Sequence, residues 1–114
     1  MHELSIALSI LEVAAEEAEK RAAARVRAIR LRLGPLSGVD KDALLSAFTL
    51  ARETSPLTEA SLVVEEVPVR IRCPQCRAER AIVSSYELVC ADCGTASAEI
   101  TQGRELEVVA LEIE

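Results

Sequence analysis

The stretch that decides the fold runs from residue 73 to residue 94 and reads CPQCRAERAIVSSYELVCADCG. It contains every cysteine of the chain, as two C-x2-C pairs with thirteen residues between them. Tetrahedral zinc takes four thiolates about 2.3 Å from one ion, and two C-x2-C turns joined by a short two-stranded hairpin can supply them. Gly94 follows the last thiol, where a residue with positive φ is often needed. The pattern therefore predicts a structural zinc site formed by Cys73, Cys76, Cys90 and Cys93.

Two other interpretations of the cysteines remain open. Four cysteines could form a disulfide framework in one of three pairings, or a C-x2-C pair could act as a redox dithiol. A reducing compartment opposes the first interpretation, and the presence of two matched pairs opposes the second. Four thiolates leave zinc no position for water or substrate, so the chain is not expected to be an enzyme. Metal binding can instead supply folding free energy of the order of 10 kcal/mol to a small hairpin.

Composition narrows the classes of partner. The chain has 13 Lys and Arg against 19 Asp and Glu, a net charge of −6, and Phe48 and Tyr86 are its two aromatic residues. An acidic surface without aromatic platforms disfavours nucleic-acid binding. No apolar run approaches the length of a membrane span, and the N-terminus lacks the features of a secretory signal. We therefore expect a cytoplasmic protein that binds neither nucleic acid nor membrane.

Two segments outside the cysteine stretch have helical periodicity. From Leu4 onward, apolar residues follow the i, i+4, i+7 spacing of an amphipathic helix and predict one buried face. That face is predicted to contain Leu4, Leu8, Leu11, Ala15 and Ala18, widened by Ile6, Ile10 and Val13. A second helix is predicted from about Val39 to Arg52, with Asp40 and Asp42 in its first turn, where acidic residues are favourable. Its apolar side is predicted to consist of Leu44, Leu45, Phe48 and Ala51.

Three segments have the pattern of strands: AIRLRLG (28–34), SLVVEEVPV (61–69) and GRELEVVALEIE (103–114). Regular alternation in the last strand would place Leu106, Val108 and Ala110 opposite Val109, Leu111 and Ile113. The predicted fold class is α+β: a three-stranded mixed sheet covered by two helices, with an inserted four-cysteine, zinc-ribbon-like module. Residues 1–67 and 103–114 are predicted to form the α/β domain, and residues 68–102 the inserted zinc-binding domain.

The N-terminus offers a second group of metal ligands. His2 is the only histidine of the chain, and it follows the free amine of Met1. An amine, an amide nitrogen and an imidazole adjacent in sequence can chelate a metal. The alternative is that His2 belongs to a frayed chain end, which tolerates any residue.

Three stretches together, MHELSIA, LGPLSGVDKDALLSAF and CPQC…CADCG, resemble the HypA/HybF family of nickel-insertion accessory proteins over essentially the whole chain. The resemblance implies a nickel metallochaperone for maturation of [NiFe]-hydrogenase. Its partners would be a nickel-binding GTPase and the hydrogenase large-subunit precursor. It implies a nickel site at Met1, His2 and Glu3, with nickel as transient cargo, and a separate structural zinc site at the four cysteines. Asp40 matches a position implicated near the nickel site in some members.

The sequence leaves the nickel geometry open. Four nitrogens would give a square-planar site that suits Ni(II) or Cu(II), whereas the carboxylates of Glu3 and Asp40 could complete a six-coordinate site. Asp40 can equally be a structural residue of the helix start. Monomer and homodimer also remain open.

The competing function is a zinc-ribbon module that binds protein or nucleic acid. Residues 70–94 carry four arginines against three acidic residues, and a thiolate-bound zinc adds negative charge. This is a poor surface for nucleic acid. A zinc hydrolase is disfavoured, because the single histidine is far from the cysteines in sequence.

Overall fold

The computed structural model describes residues 2–22, 25–84 and 86–114 of the chain. Helix α1 spans Glu3–Lys20 and helix α2 spans Lys41–Ala51. The strands are β1 (Val26–Leu33), β2 (Ser61–Glu66), β3 (Arg70–Cys73), β4 (Ala78–Ser84), β5 (Glu87–Cys90), β6 (Ile100–Gln102) and β7 (Leu106–Ile113). None of the described helices is both long enough and apolar enough to cross a membrane.

The chain divides into two compact units. The first consists of Met1–Arg32, Gly38–Glu65 and Glu107–Glu114, and the second of Leu33–Ser37 and Glu66–Leu106. The domain limits predicted from the sequence are residues 1–67 with 103–114 for one domain and residues 68–102 for the other. They stay a prediction.

The first unit contains a three-stranded sheet in the order β2-β1-β7. Its strand directions follow from Arg32 near the end of β1, which forms ion pairs with Glu65 near the end of β2 and with Glu107 near the start of β7. Strands β1 and β2 are therefore parallel and β7 is antiparallel to β1. Both helices and β1 contribute to one buried cluster that includes Leu11, Ile29 and Leu44. The predicted mixed sheet covered by two helices is confirmed.

The buried face of α1 differs from the prediction. The buried residues are Ala7, Ile10, Leu11, Ala14 and Ala18, with the spacing i, i+3, i+4, i+7, i+11 of one helical stripe. The predicted face was wrong at Leu4, Leu8 and Val13, which are 47%, 46% and 53% exposed. Three alanines lie on the buried stripe, and their small side chains let the helix backbone approach its neighbours closely.

Strand β7 also departs from its predicted alternation. Val108 and Leu111 are its half-buried residues, and both pack against the core of the first unit. In a regular pleat, residues three apart lie on opposite faces. The burial along β7 therefore does not follow the predicted alternation.

The second unit contains a four-stranded sheet in the order β5-β4-β3-β6. The predicted hairpin between the cysteine pairs is present as antiparallel β4 and β5. It is not isolated, because β4 also pairs antiparallel with β3, which in turn pairs with β6. Buried Ile71 on β3 packs with Ile82 and Ile100, so the cysteine stretch has a small core of its own.

Gly34 is required in the second unit by a close backbone approach. The N–H of Gly34 donates to Glu105 O at 2.9 Å, and that of Leu36 donates to Gly103 O at 2.8 Å. A Cβ atom on Gly34 would lie 2.1 Å from Gly103 O. No other residue type fits there without movement of the backbone.

Candidate metal centres

The four-cysteine cluster consists of Cys73, Cys76, Cys90 and Cys93, whose sulfur atoms all lie within 4.8 Å of one another. Cys73 ends β3 and Cys90 ends β5, and the second cysteine of each pair lies in the turn that follows. The strand-end cysteines are buried, Cys76 is half-buried and Cys93 is exposed. The sheet therefore fixes one sulfur of each pair, and the following turn places the other beside it.

The two turns have the same backbone geometry. The N–H of Arg77 donates to Cys73 O at 2.8 Å, and that of Gly94 donates to Cys90 O at 2.9 Å. The residue after each pair has positive φ, +55° at Arg77 and +78° at Gly94. Glycine adopts this conformation readily and arginine does so at a cost. The expectation for Gly94 is confirmed, whereas nothing in the residue type indicated the same conformation for Arg77.

The sulfur positions fit a tetrahedral thiolate site. Sulfurs bound at about 2.3 Å to one Zn²⁺ would be about 3.8 Å apart. The distance between the sulfurs of Cys73 and Cys93 is 3.5 Å, and that between Cys76 and Cys90 is 3.9 Å. A disulfide would require about 2.05 Å, and all four cysteines are free. The cluster can therefore hold one tetrahedral ion and is not a disulfide framework in this structure.

The thiols differ in acidity without a metal. Hydrogen bonds from Thr95, first from its side chain and then from its backbone, lower the pKa of Cys93 to about 6. The Thr95 hydroxyl oxygen lies 3.2 Å from the sulfur of Cys93. The pKa of Cys76 is raised to about 12, chiefly because it hydrogen-bonds to Cys93 and then because it is desolvated. Of these two sulfurs, Cys93 therefore holds negative charge at the lower pH. Thr95 is not among the residues predicted from the sequence, where its position two residues after Cys93 is its only signal.

The predicted nickel ligands lie at the start of α1. His2 is exposed and occupies the N-cap position of the helix, and among the described residues its side chain forms no capping hydrogen bond. Glu3 is the first helical residue. Met1, the remaining predicted ligand, lies outside the described residues.

Glu3 and Asp40 are brought together across 37 positions of sequence. The backbone N–H of Asp40 donates to Glu3 Oε2 at 3.4 Å. Asp40 is the N-cap of α2, and its Oδ1 accepts a hydrogen bond from Ala43 N at 2.8 Å. The cysteines form the one group of three or more candidate metal ligands found in residues 2–22, 25–84 and 86–114, so His2, Glu3 and Asp40 do not converge there.

Comparison with known proteins identifies the family of this chain. The family described as "Hydrogenase/urease nickel incorporation, metallochaperone, hypA" matches residues 1–113. The hydrogenase maturation factor HypA of Chloroflexus aurantiacus is 45% identical over 112 residues, 98% of each chain. That of Roseiflexus sp. (strain RS-1) is 46% identical over 114 residues, which cover 100% of this chain and 93% of the relative.

Solved structures show the same fold. The solution structure of the Ni metallochaperone HypA from Helicobacter pylori is similar with a TM-score of 0.69 and 30% identity, covering 99% of this chain and 97% of that one. A second solution structure of a HypA protein has a TM-score of 0.72 and 29% identity, covering 100% of this chain and 97% of that one. Sequence similarity over nearly the whole chain, the fold and the four-cysteine cluster agree, and the chain belongs to the HypA family of nickel-incorporation metallochaperones for hydrogenase maturation.

Proposed function

We propose that this chain binds Ni(II) at its own N-terminus and delivers it, together with a nickel-binding GTPase, to the large-subunit precursor of a [NiFe]-hydrogenase in the cytoplasm. The observation that carries the proposal is the position of His2, the only histidine of the chain, exposed at the start of α1 in a member of a nickel metallochaperone family. The proposed nickel ligands are Met1, His2 and Glu3.

Helix geometry makes the backbone nitrogens near His2 available. The first N–H groups of an α-helix have no acceptor within the helix. The first bond at this end among the described residues runs from Ile6 N to His2 O, so the carbonyl of His2 is used, whereas its amide N–H is among those without a helical acceptor. Nickel bound to the amide nitrogens of His2 and Glu3 would therefore cost α1 none of its own hydrogen bonds. The amine of Met1 and the imidazole of His2 would complete a square-planar set of nitrogens, which suits Ni(II) or Cu(II).

Glu3 supports the alternative, six-coordinate geometry. Among residues 2–22, 25–84 and 86–114, its carboxylate accepts a hydrogen bond from Asp40 N at 3.4 Å, and an oxygen in so weak a contact can be redirected to a metal. We assign Asp40 a structural role in the first place, because its Oδ1 caps α2 through a 2.8 Å bond. Whichever geometry applies, these ligands can detach one at a time, which suits a protein that must release its cargo.

We propose zinc as the ion held by the four-cysteine cluster, with a structural role. The sulfur spacings of 3.5 and 3.9 Å fit tetrahedral thiolate coordination. Four thiolates leave no open position, so the proposal includes no catalytic activity. The net charge of −6 supports protein partners rather than nucleic acid. We also keep residues 68–102 as the proposed zinc-binding domain.

A nickel titration of untagged, zinc-loaded protein tests the proposal. We expect one nickel site per chain in the wild type and none of comparable affinity in His2→Ala. Ser5→Ala is the matched control, because Ser5 is exposed on the same first turn and offers no nitrogen ligand. A tag fused to Met1 should also abolish the site, since it removes the free amine. Unchanged nickel affinity in His2→Ala would refute the site.

Delivery needs a separate experiment. Nickel-loaded protein is mixed with the GTPase, GTP and the hydrogenase precursor, and nickel in the re-isolated precursor is measured. We expect transfer with the wild type and not with His2→Ala. Equal transfer by both proteins would show that the N-terminal site is not the source of the delivered nickel.

A further inference from the structure

Arg80 contacts both C-x2-C turns of the four-cysteine cluster. It lies on β4, four residues after Cys76, and the neighbouring Cys76 side chain is the chief cause that raises the pKa of its guanidinium. Its Nε lies 2.9 Å from Oδ2 of Asp92, which lies between Cys90 and Cys93 in the second turn. One guanidinium therefore lies beside the Cys76 side chain of the first turn and pairs with the carboxylate of the second.

The charges around Arg80 favour its position beside the cluster. Its Nε atom is buried and takes part in the ion pair with Asp92, but it forms no hydrogen bond within the described residues. Four thiolates around Zn²⁺ carry a net charge of −2, so a cation in direct contact with one of the sulfurs offsets part of that charge. The side chains of Arg80 and Asp92 are 36% and 65% exposed, so the energy of their ion pair alone is small. The planar guanidinium has five N–H donors in a fixed arrangement and can serve two acceptors at once.

The neighbouring arginines do not share this arrangement. Arg70 pairs with Glu79 at 2.6 Å. The side chains of Arg72 and Arg77 are exposed, although each is adjacent in sequence to a cysteine, and neither forms an ion pair in the described part of the second unit, 33–37, 66–84 and 86–106. Arg72 therefore offers a matched position with the same charge and without the contact.

We infer that Arg80 is a positioning residue of the metal site: it holds the Cys76 sulfur and Asp92 together, so that the two turns keep their ion as one unit. This inference rests on the proposed occupancy of the cluster by zinc. Groups that hydrogen-bond to metal ligands typically change metal affinity by 10–100-fold when they are removed. We expect loss of Arg80 to leave the two turns no longer joined through this side chain.

The test is the rate at which zinc passes from the protein to the coloured chelator 4-(2-pyridylazo)resorcinol. We expect Arg80→Gln to accelerate the transfer by about 10–100-fold and Arg72→Gln to leave it unchanged. Arg80→Lys keeps the charge but not the planar pair of contacts, so its rate should lie between those of wild type and Arg80→Gln. Equal rates in Arg80→Gln and Arg72→Gln would overturn the inference.

A spectroscopic readout separates positioning from general destabilisation. In protein loaded with ¹¹³Cd instead of zinc, the ¹¹³Cd resonance should shift in Arg80→Gln and stay in place in Arg72→Gln. If Arg80→Gln does not fold, Asp92→Asn removes the ion pair and leaves the arginine, and it should shift the resonance and accelerate zinc loss in the same direction. An unshifted resonance in the folded variant would count against a positioning role.

The two proposals fail in different ways. A wild-type chain that holds no zinc would overturn the proposed zinc site and this inference together. One zinc per chain with no difference between the Arg80 and Arg72 variants would overturn this inference alone.

Discussion

Replacing Asp40 by alanine removes the side chain that caps the start of helix α2. Its Oδ1 accepts the Ala43 N–H at 2.8 Å, which is one of the four N–H groups without a partner inside the helix. Asp40→Asn keeps an oxygen at the same place and removes the charge. The two variants therefore separate the capping hydrogen bond from the carboxylate charge.

The structure sets the expected size of each effect. Loss of an N-cap side chain costs about 1 kcal/mol, within a range of roughly 0.5–2 kcal/mol. Loss of a negative charge at an exposed helix start adds about 0.3–1 kcal/mol at low salt. We therefore expect Asp40→Ala to lose about 1–2 kcal/mol of unfolding free energy, and Asp40→Asn about 0.5 kcal/mol.

Urea unfolding of zinc-loaded protein, followed by far-ultraviolet circular dichroism at low salt, measures this difference. Because the backbone N–H of Asp40 also donates to Glu3 Oε2, nickel affinity is titrated on the same samples. We expect the nickel affinity of Asp40→Asn to lie within about threefold of the wild-type affinity. A tenfold change, which corresponds to about 1.4 kcal/mol, would be well outside that range. Equal stability of Asp40→Ala and wild type would refute the capping role. A tenfold loss of nickel affinity in Asp40→Asn would make Asp40 a ligand.

Three further predictions concern the second unit. Gly34→Ala should destabilise it by about 3 kcal/mol, seen as a lower urea midpoint, because the new Cβ would lie 2.1 Å from Gly103 O; an unchanged midpoint would contradict the close approach. Arg77→Gly should stabilise the zinc-loaded protein by about 0.5–1 kcal/mol, because φ is +55° there; a lower urea midpoint would show that the arginine is not strained. In metal-free, reduced protein, Cys93 should react with iodoacetamide before the other thiols, since its pKa is lowered to about 6 by Thr95. The thiolate is the favoured form in the fold, so this contribution to stability is present above the ordinary thiol pKa and is lost as the pH falls through about 6. Peptide mapping after partial alkylation identifies the modified thiol, Thr95→Val should slow the reaction, and equal rates at all four cysteines would refute the assignment.

The cysteine spacing and the helix and strand patterns are local properties, and the sequence was sufficient to predict what they encode. Two C-x2-C turns at this spacing can supply four sulfurs to one ion, so the ligand set is legible in the sequence. Helical periodicity located α1 and α2 within a few residues of their observed limits, because it depends on residues three or four apart. The family motif at the N-terminus likewise singles out His2, because it consists of adjacent residues.

Only the tertiary structure decided which surfaces and side chains meet. Apolar residues occur on more than one side of α1, so periodicity could not select Ala7 and Ala14 over Leu4 and Leu8 for burial. Strands β3 and β6 join the predicted hairpin through pairings that no short segment specifies. The contact of Arg80 with both cysteine turns depends on where β4 passes the metal cluster, and arginines adjacent to cysteines in sequence do not make it. Such contacts join residues far apart along the chain, and the packing of the whole chain, rather than any local pattern, determines them.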